Sequence, residues 1–566
     1  MENHVHSQNL LVHFRRVEEI KACSLAYQSL ALGNRQLCEL ELLLSRAFYP
    51  LNGYLGREDY ESVLSSMRLA DGTPWPMPVS LDVPEALAQK LAPGDKLALR
   101  DGEGFMLAVM TVGDVWQADT LQEARAVFGV EAPEAHPDAM AYVRDRAAYR
   151  VGGALEGLAL PSHCDYAEAR RSPAAVQHFF QQRGWRKILG HQSQGLLHCA
   201  HKAMLLEAAR SVGGSILLQP AVDDALAGGI AHFATVRCAL RFAETFPPNM
   251  LHLNLLPRFG VNAGPRQALF EALVHKNYGC THYLVAPDHA DPLARTTESR
   301  FYPLGEAQRL VESLSDETGI AMVPLTPMAY VEEKAQYIPA RDVQAGMTVK
   351  DIDAREFKRR LEYSLDIPDW YAFPTVVEEL RQAFPPRSKQ GFVIFMTGLS
   401  GAGKSTLAKL LYVKFMELRT RPVTLLDGDI VRRHLSSELT FSKAHRDLNI
   451  QRIGFVAGEI AKNGGIAICA PIAPYAASRR YVRDLVDRVG GFIEVHVAAP
   501  LEICEQRDRK GLYAKARAGI VHGVTGIDDP YEIPEHPELV LHTDNLSPDE
   551  AAQEVLLYLE QQDYLK

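Results

Sequence analysis

An α/β multidomain fold is what this sequence predicts, and three observations predict it. Strand-like apolar runs alternate with helical stretches twice over, across residues 156–325 and again after residue 390. A length of 566 residues exceeds what one core holds and suggests about three or four domains. The second alternating region opens with GFVIFMTGLSGAGKSTL at residues 391–407, where a buried strand runs straight into a glycine loop and a helix.

Taken in order, residues 1–155 carry short apolar strands with turn signals, as in PWPMPVSLDV and GDKLALRDGEGFMLAVMTV, and read as a mixed, largely β domain. Across residues 156–325, SILLQP, MLHLNLLP and THYLVAP alternate with AAVQHFFQQRGW and GPRQALFEALVHK, the pattern of a parallel α/β sheet. Residues 326–386 form a smaller unit ending in DIPDWYAFPTVVEELRQAF, closed by the Pro385-Pro386 start of a polar linker. Residues 387–566 hold VIFMT, PVTLLDGD, GIAICAP and FIEVHVAAP, four strand-like runs of a second α/β domain. No internal repeat or low-complexity tract interrupts this order.

A hydrophobic content of 47% and a charged content of 23% are those of a globular enzyme. The net charge of −10 argues against a general nucleic-acid binder, so an anionic substrate needs a local pocket of positive charge. The eight cysteines show no CxxC pair and no zinc-like spacing, which fits reduced thiols in a cytoplasmic protein. The opening MENHVHSQNLLVHFRR lacks the apolar core of a signal peptide, and no apolar run reaches membrane-spanning length, so no membrane association is expected.

The chemistry starts at the loop. Gly398, Leu399, Ser400, Gly401, Ala402 and Gly403 let the backbone curl so that successive N–H groups point inward. Lys404 reaches the outer phosphates, the Ser405 hydroxyl is placed to ligate Mg²⁺, and Ser405 with Thr406 opens a helix whose dipole adds positive charge. The expected ligand is a nucleoside triphosphate with Mg²⁺. The next run, VTLLDGD, ends in Asp427 and Asp429. An ordinary DGD turn is the bland reading. In phosphate-loop folds, however, the carboxyl end of a neighbouring strand faces the phosphates. One carboxylate would then hold Mg²⁺ through water while the other takes a hydroxyl proton from the acceptor. Arg432 lies one helical turn past Asp429, and FSKAHRDLNIQRIG sets Arg446 and Asn449 on one helix face beyond Phe441. Taken alone, such a face is more often a solvated one. KGLYAKARAGIVHGVTGIDDPYEIP, with Lys510, Lys515 and Arg517 among glycines, has the composition of a mobile basic lid.

GLSGAGKST, DGDIVR, FSKAHRDLNIQRIG, APIAPY, RDRKGLYAKARAG and TGIDDPYEIP, in this order, resemble adenylylsulfate (APS) kinase over essentially all of residues 390–560. The resemblance implies a phosphate-loop kinase domain that transfers the γ-phosphate of MgATP to the 3′-hydroxyl of APS, giving PAPS. Carried over by motif, it places Asp429, Ile430, Val431, Arg432, Phe441, Arg446, Asn449, Ile472, Ala473, Lys510 and Thr525 on APS, with Phe441 against the adenine, and Arg507 near the ATP base. Ile430 stands where the family usually has Asn and Val524 where it often has Phe, so weaker APS binding is expected; an aromatic contact is worth about 0.5 to 1.5 kcal/mol. Ala473 stands where some members carry a phosphorylatable Ser, which leaves direct in-line transfer.

RQLCELELLLSRAFYPLNGYLGREDYESVL, RGWRKILGHQSQGLLHCAHKAML, AGPRQALFEALVHKNYGCTHYLVAPDHADP and IPDWYAFPTVVEELR resemble ATP sulfurylase over about residues 10–385. That likeness implies a PUA-like first domain, a Rossmann-like nucleotidylyltransferase domain and a small subdomain, which together join ATP and sulfate into APS. It also implies a dimer or a hexamer. The site residues depart from the pattern. Gln-Thr-Arg-Asn-Pro becomes Gln192, Ser193, Gln194, Gly195, Leu196, with His198 and His201 kept. Gly-Arg-Asp-His-Ala-Gly becomes Ala286, Pro287, Asp288, His289, Ala290, Asp291. The arginine that would grip sulfate and a second arginine are thereby lost, Pro287 removes a backbone donor, and Asp291 is expected to put negative charge where phosphates approach. Gly260 and Val261 replace Met-Arg, Asp353, Ala354 and Arg355 replace Ser-Gly-Thr, and Gln219 replaces His. A pentavalent anionic transition state depends on aimed positive charge, so the expectation is an APS kinase fused to a sulfurylase-like domain with a lost or very weak activity. The rival is a fully bifunctional enzyme making PAPS from sulfate and ATP. Fungal sulfurylases carry a sensor domain with a degraded phosphate loop, whereas the loop here is complete.

Overall fold

The computed structural model describes residues 9–193, 195–223, 225–293, 300–419, 421–440, 442–508 and 511–565. The chain divides into two compact units, Met1–Ile352 with Pro368–Glu379, and Asp353–Ile367 with Leu380–Lys566.

The first unit opens with a mixed sheet. Its strands are β1 (Gln28–Ala31), β2 (Gly53–Tyr54), β3 (Leu81–Val83), β4 (Lys96–Arg100), β5 (Met106–Gln117) and β6 (Tyr149–Gly157). The order is β1-β4-β5-β6-β2 with β3 also on β6, and only β1 and β4 pair in parallel. This is the largely β domain that the turn signals predict; its last strand runs to Gly157, just past the expected boundary. A second sheet follows, made of β7 (Ile188–Ser193), β8 (Ser215–Val222), β9 (Leu251–Leu253), β10 (Leu256–Pro257), β11 (His282–Val285) and β12 (Ala321–Pro324). All its pairings are parallel, in the order β10-β8-β7-β11-β12, with β9 on β8. Strand order reverses at β7, which lies between β8 and β11, and the crevice beyond its carboxyl end is where such sheets bind ligands. A small antiparallel sheet of β13 (Met328–Val331), β14 (Gln336–Pro339) and β15 (Val349–Lys350) completes the unit.

Arg266, from the AGPR run, staples the two larger sheets' domains together. It sits on the helix Gly264–Asn277 and donates to the carbonyls of Val63 and Pro76 at 3.0 Å and of Leu64 at 2.7 Å. Val63 and Leu64 belong to the last turn of the helix Arg57–Ser66, where carbonyls run out of helical donors; the Val63 carbonyl also takes the Met67 N–H of the cap. Burial pushes the Arg266 guanidinium down to about 10.

The second unit holds β16 (Phe392–Thr397), β17 (Val423–Asp427), β18 (Ile466–Ala470), β19 (Gly491–Ala498) and β20 (Leu539–His542), all parallel, in the order β17-β18-β16-β19-β20. The first four are the expected runs; β20 was not singled out by the sequence. Successive side chains of β16 feed two cores, as a strand covered on both faces requires. Phe392, Ile394 and Met396 join one, with Leu407, Leu411 and Val555; Val393 and Phe395 join the other, with Ile453, Val482 and Val486. No helix among the described residues is long and apolar enough to cross a membrane.

Candidate active sites

The fully buried β16 delivers the chain to the phosphate loop at the point where strand order reverses, between β18 and β19. Gly401 and Gly403 take φ of +81° and +107°, so the loop curls as the sequence predicts. The helix Lys404–Leu418 begins at once, with Ser405 and Thr406 exposed on its first turn. Lys404 lies inside the curl and donates to the carbonyls of Gly398 at 2.9 Å and Leu399 at 2.7 Å. The loop is braced from outside. The Tyr513 hydroxyl donates to the Ser400 carbonyl at 2.8 Å, and the Thr543 hydroxyl to the Ala402 carbonyl at 2.7 Å. Arg507 donates to the Thr543 carbonyl at 2.8 Å, which brings it to the same side. The stretch read as a mobile lid is therefore tied down at Tyr513 in the helix Leu512–Arg517, with Arg517 paired to Glu505 at 2.7 Å.

Asp427 ends β17 with its side chain buried. The sheet order corrects one expectation: β18 lies between β17 and β16, so Asp427 is not on the strand next to the loop. Two strand spacings put the strands' ends about 10 Å apart, a gap spanned by the residues after β18. The helix Gly428–His434 follows. Ile430 is exposed, Val431 is buried, and Arg432 donates to the Leu439 carbonyl at 3.4 Å. The Asp429 side chain, Phe441 and Lys510 lie outside the described residues.

Arg446, on the helix Lys443–Lys462, is drawn into a cluster with Thr525 at 3.0 Å, Asp529 at 2.5 Å and the Gly523 carbonyl. Tyr475 donates to Asp529 at 2.9 Å, and burial together with that carboxylate raises its phenol above the ordinary range. Asn449 is buried one turn further along, and its Oδ1 has no hydrogen-bond partner. A buried acceptor left unmade is costly and marks a place where a ligand group fits. The Ile472 and Ala473 carbonyls both accept from Thr397 Oγ1, at 2.8 and 3.1 Å, which fastens them to the strand that enters the phosphate loop. Val524 is buried in the core beside the loop.

In the first unit, the crevice beyond β7 brings Gln192 and His289 together on one carboxylate. Glu271 is fully enclosed and accepts from Gln267 and His289 at 2.8 Å, from Tyr283 at 2.5 Å and from Gln192 at 3.3 Å. Burial works to raise the Glu271 carboxyl, but His289 and the other donors outweigh it and hold the group below its usual range. His289 is used up by this arrangement: Nε2 faces Glu271, and Nδ1 accepts from the Ala286 N–H at 3.4 Å. Gln267 Oε1 also takes the Val261 N–H at 3.1 Å, so the Gly260–Val261 loop is tied to the same hub. Gln219 is paired in register with Gln192 and fully buried, and neither atom of its amide has a partner.

Asp291 does not project charge into the crevice. It is buried and accepts the backbone N–H groups of Leu293 at 2.8 Å, Phe301 at 3.0 Å and Tyr302 at 3.1 Å, so it organises its own loop. Asp288 pairs with Arg300 at 3.5 Å. His198 caps the helix Cys199–Val212 and stacks on Tyr371 with ring centroids 4.9 Å apart; its N–H reaches His201 Nδ1 at 3.2 Å. Burial lowers the His198 imidazole below its ordinary range, against the opposing pull of Asp351. Asp353 serves as a helix cap, taking the Glu356 N–H at 2.7 Å. Gln194 lies outside the described residues. The Glu271 hub and the Arg266 staple were not found by sequence reasoning; the only signal was a Glu and an Arg within the largely buried helix of AGPRQALFEALVHKN.

Three family models match along the chain. Residues 390–542 match the family model for adenylylsulphate kinase, 167–383 that for ATP-sulfurylase, and 4–160 that for a PUA-like domain. A protein of Mycosarcoma maydis named sulfate adenylyltransferase is 42% identical over 540 residues, 94% of each chain. Another so named, from Neurospora crassa, is 39% identical over 553 residues, 97% of this chain and 96% of that one. Among solved structures, the hexameric APS kinase from Thiobacillus denitrificans superposes with a TM-score of 0.81 at 39% identity, covering 99% of this chain and 98% of that one.

Proposed function

The chain belongs to the family of fused PUA-like, ATP sulfurylase and APS kinase proteins, and from that premise we propose that it works as an adenylylsulfate kinase whose sulfurylase-like domain has lost all or nearly all of its own chemistry. The observation that carries the kinase reading is the complete loop, with Lys404 inside it and the Arg446 cluster across the same sheet end. The loop N–H groups hold the triphosphate, and Lys404 exchanges the Gly398 and Leu399 carbonyls for the outer phosphates. Ser405 and Asp427 are oxygen donors of the kind Mg²⁺ takes, and the ion would neutralise phosphate charge there. One of Asp427 and Asp429 accepts the proton of the APS 3′-hydroxyl. Arg446, Asn449, Thr525 and the Ile472–Ala473 turn hold APS, with Ile430, Val431, Arg432, Phe441 and Lys510 completing its site and Arg507 beside the ATP base.

Loss of the sulfurylase reaction is supported by the Glu271 hub. The loops that would present positive charge to sulfate and phosphate instead send Gln192, His289 and, through Gln267, the Val261 N–H to one buried carboxylate. Lost arginine bonds to an anion would each contribute about 1.5 to 3 kcal/mol. The domains are assigned as residues 1–155, 156–325, 326–386 and 387–566. The assembly is a cytoplasmic homo-oligomer, with support from the hexameric relative.

A second reading, the fully bifunctional enzyme, is favoured by the name of the fungal relatives. Two assays separate them. Lys404→Ala should abolish PAPS formation from APS and ATP; unchanged synthesis would end the kinase assignment. In that same variant, pyrophosphate-dependent ATP formation from APS should be absent or weak, and a robust rate removed by adding His198→Ala would establish the second reading.

A further inference from the structure

The residues after β18 hold Ile472 and Ala473, and Ala473 takes φ of +45°, which a residue with a β-carbon rarely adopts. Something must hold that shape. Thr397 supplies part of it, and Arg479 supplies the rest. Arg479 is 3% exposed on the first turn of the helix Ala476–Val486. Its Nη1 donates to the Ala473 carbonyl and its Nη2 to the Glu532 carbonyl, both at 2.8 Å. Its Nε faces Glu494 of β19 at 2.9 Å. Glu532 closes the ring: its N–H reaches the Pro474 carbonyl at 2.8 Å, and its carboxylate takes the Ala476 N–H at 2.6 Å. One guanidinium thus joins the sheet, the Ala473 turn and the segment after Asp529, without touching the phosphate loop.

A buried arginine charge is tolerated where it is paired and hydrogen-bonded, and the planar fork here spans the Ala473 and Glu532 carbonyls while its charge sits beside Glu494, a geometry a lysine cannot reproduce. We propose that Arg479 is a positioning residue for the acceptor substrate. It fixes the Ile472–Ala473 turn against Thr397 and the start of the phosphate loop, and so sets where APS is presented. This rests on the assignment of that turn to APS. The nucleotide donor is bound by the loop itself, so Arg479 acts on APS and not on ATP.

The test is Arg479→Lys in the full chain, which keeps the charge opposite Glu494 but cannot span both carbonyls. APS is titrated calorimetrically onto protein saturated with MgADP, and KM is measured for both substrates. A tenfold or greater loss of APS affinity, with KM for ATP within twofold of the unaltered protein, is expected. APS affinity within twofold, or equal losses for APS and ATP, would overturn the proposal. Should Arg479→Lys fail to fold, Thr397→Val, which takes the hydroxyl away from the Ile472 and Ala473 carbonyls and so loosens the same turn without burying a charge, decides by the same criteria. Absence of PAPS synthesis by the unaltered protein would defeat the kinase reading alone, since the APS titration still reports on Arg479.

Discussion

Replacing Gly401 by Ala should cripple nucleotide binding while leaving the fold intact. Gly401 has φ of +81°, a conformation that costs a residue with a β-carbon about 1–2 kcal/mol. A β-carbon there would also stand 2.9 Å from the Cys504 carbonyl oxygen and 3.4 Å from Cys504 Cα. Cys504 is fully buried in the helix Leu501–Gln506, so the backbone facing the new methyl has little room to retreat. Overpacking of this kind adds about 1 kcal/mol or more. The cradle-shaped loop therefore loses about 2–3 kcal/mol relative to other loop shapes, and apparent affinity falls with the fraction that remains competent. At 1.36 kcal/mol per decade, MgADP should bind about 30- to 150-fold more weakly. Calorimetric titration measures this, with thermal melting to verify the fold. Gly519→Ala is the control: its φ is +68°, but nothing lies within 4 Å of the added carbon, so only the backbone cost applies. MgADP binding to Gly401→Ala within threefold of the unaltered protein would refute the reasoning.

Two further outcomes concern the first unit. Burial holds His191, His252 and His275 neutral, each pushed down to about 4 from 6.5. Between those values the unfolded chain binds more protons than the folded one, so stability is complete above about pH 6.5 and is lost as pH falls towards 4; each histidine contributes at most about 1.4 kcal/mol per pH unit. The melting temperature of this unit should fall steadily from pH 6.5 to 4.5, and a flat profile would contradict the assignment. Arg266→Met should cost about 2–4 kcal/mol in urea denaturation, because the Leu64 and Pro76 carbonyls lose their donor and the Val63 carbonyl keeps only the Met67 N–H, while a buried charge is relieved; a loss below about 1 kcal/mol would show that the staple is unimportant.

The fold was legible wherever local chemistry dictates it. GLSGAGKST after an apolar run gave the loop, and the 2.0 and 3.6 periodicities gave both parallel sheets. The order of strands was not legible, since pairing between residues far apart leaves no local trace; hence Asp427 was expected one strand too close to the phosphates. Site residues were legible by type but not by partner. Asp291 carries charge in the sequence, yet three backbone N–H groups from its own loop absorb it. Glu271 and Arg479 looked like ordinary helix charges, because what defines them is the set of carbonyls, amides and rings that the tertiary fold brings around them.

The central claim is that one transfer reaction survives in a chain built for two. Supplying the full-length protein with ATP and either labelled sulfate plus pyrophosphatase, or labelled APS, tests it directly. PAPS should accumulate from APS and not measurably from sulfate. Formation of PAPS from sulfate at a rate comparable to that from APS would contradict the claim and leave the chain as the bifunctional enzyme.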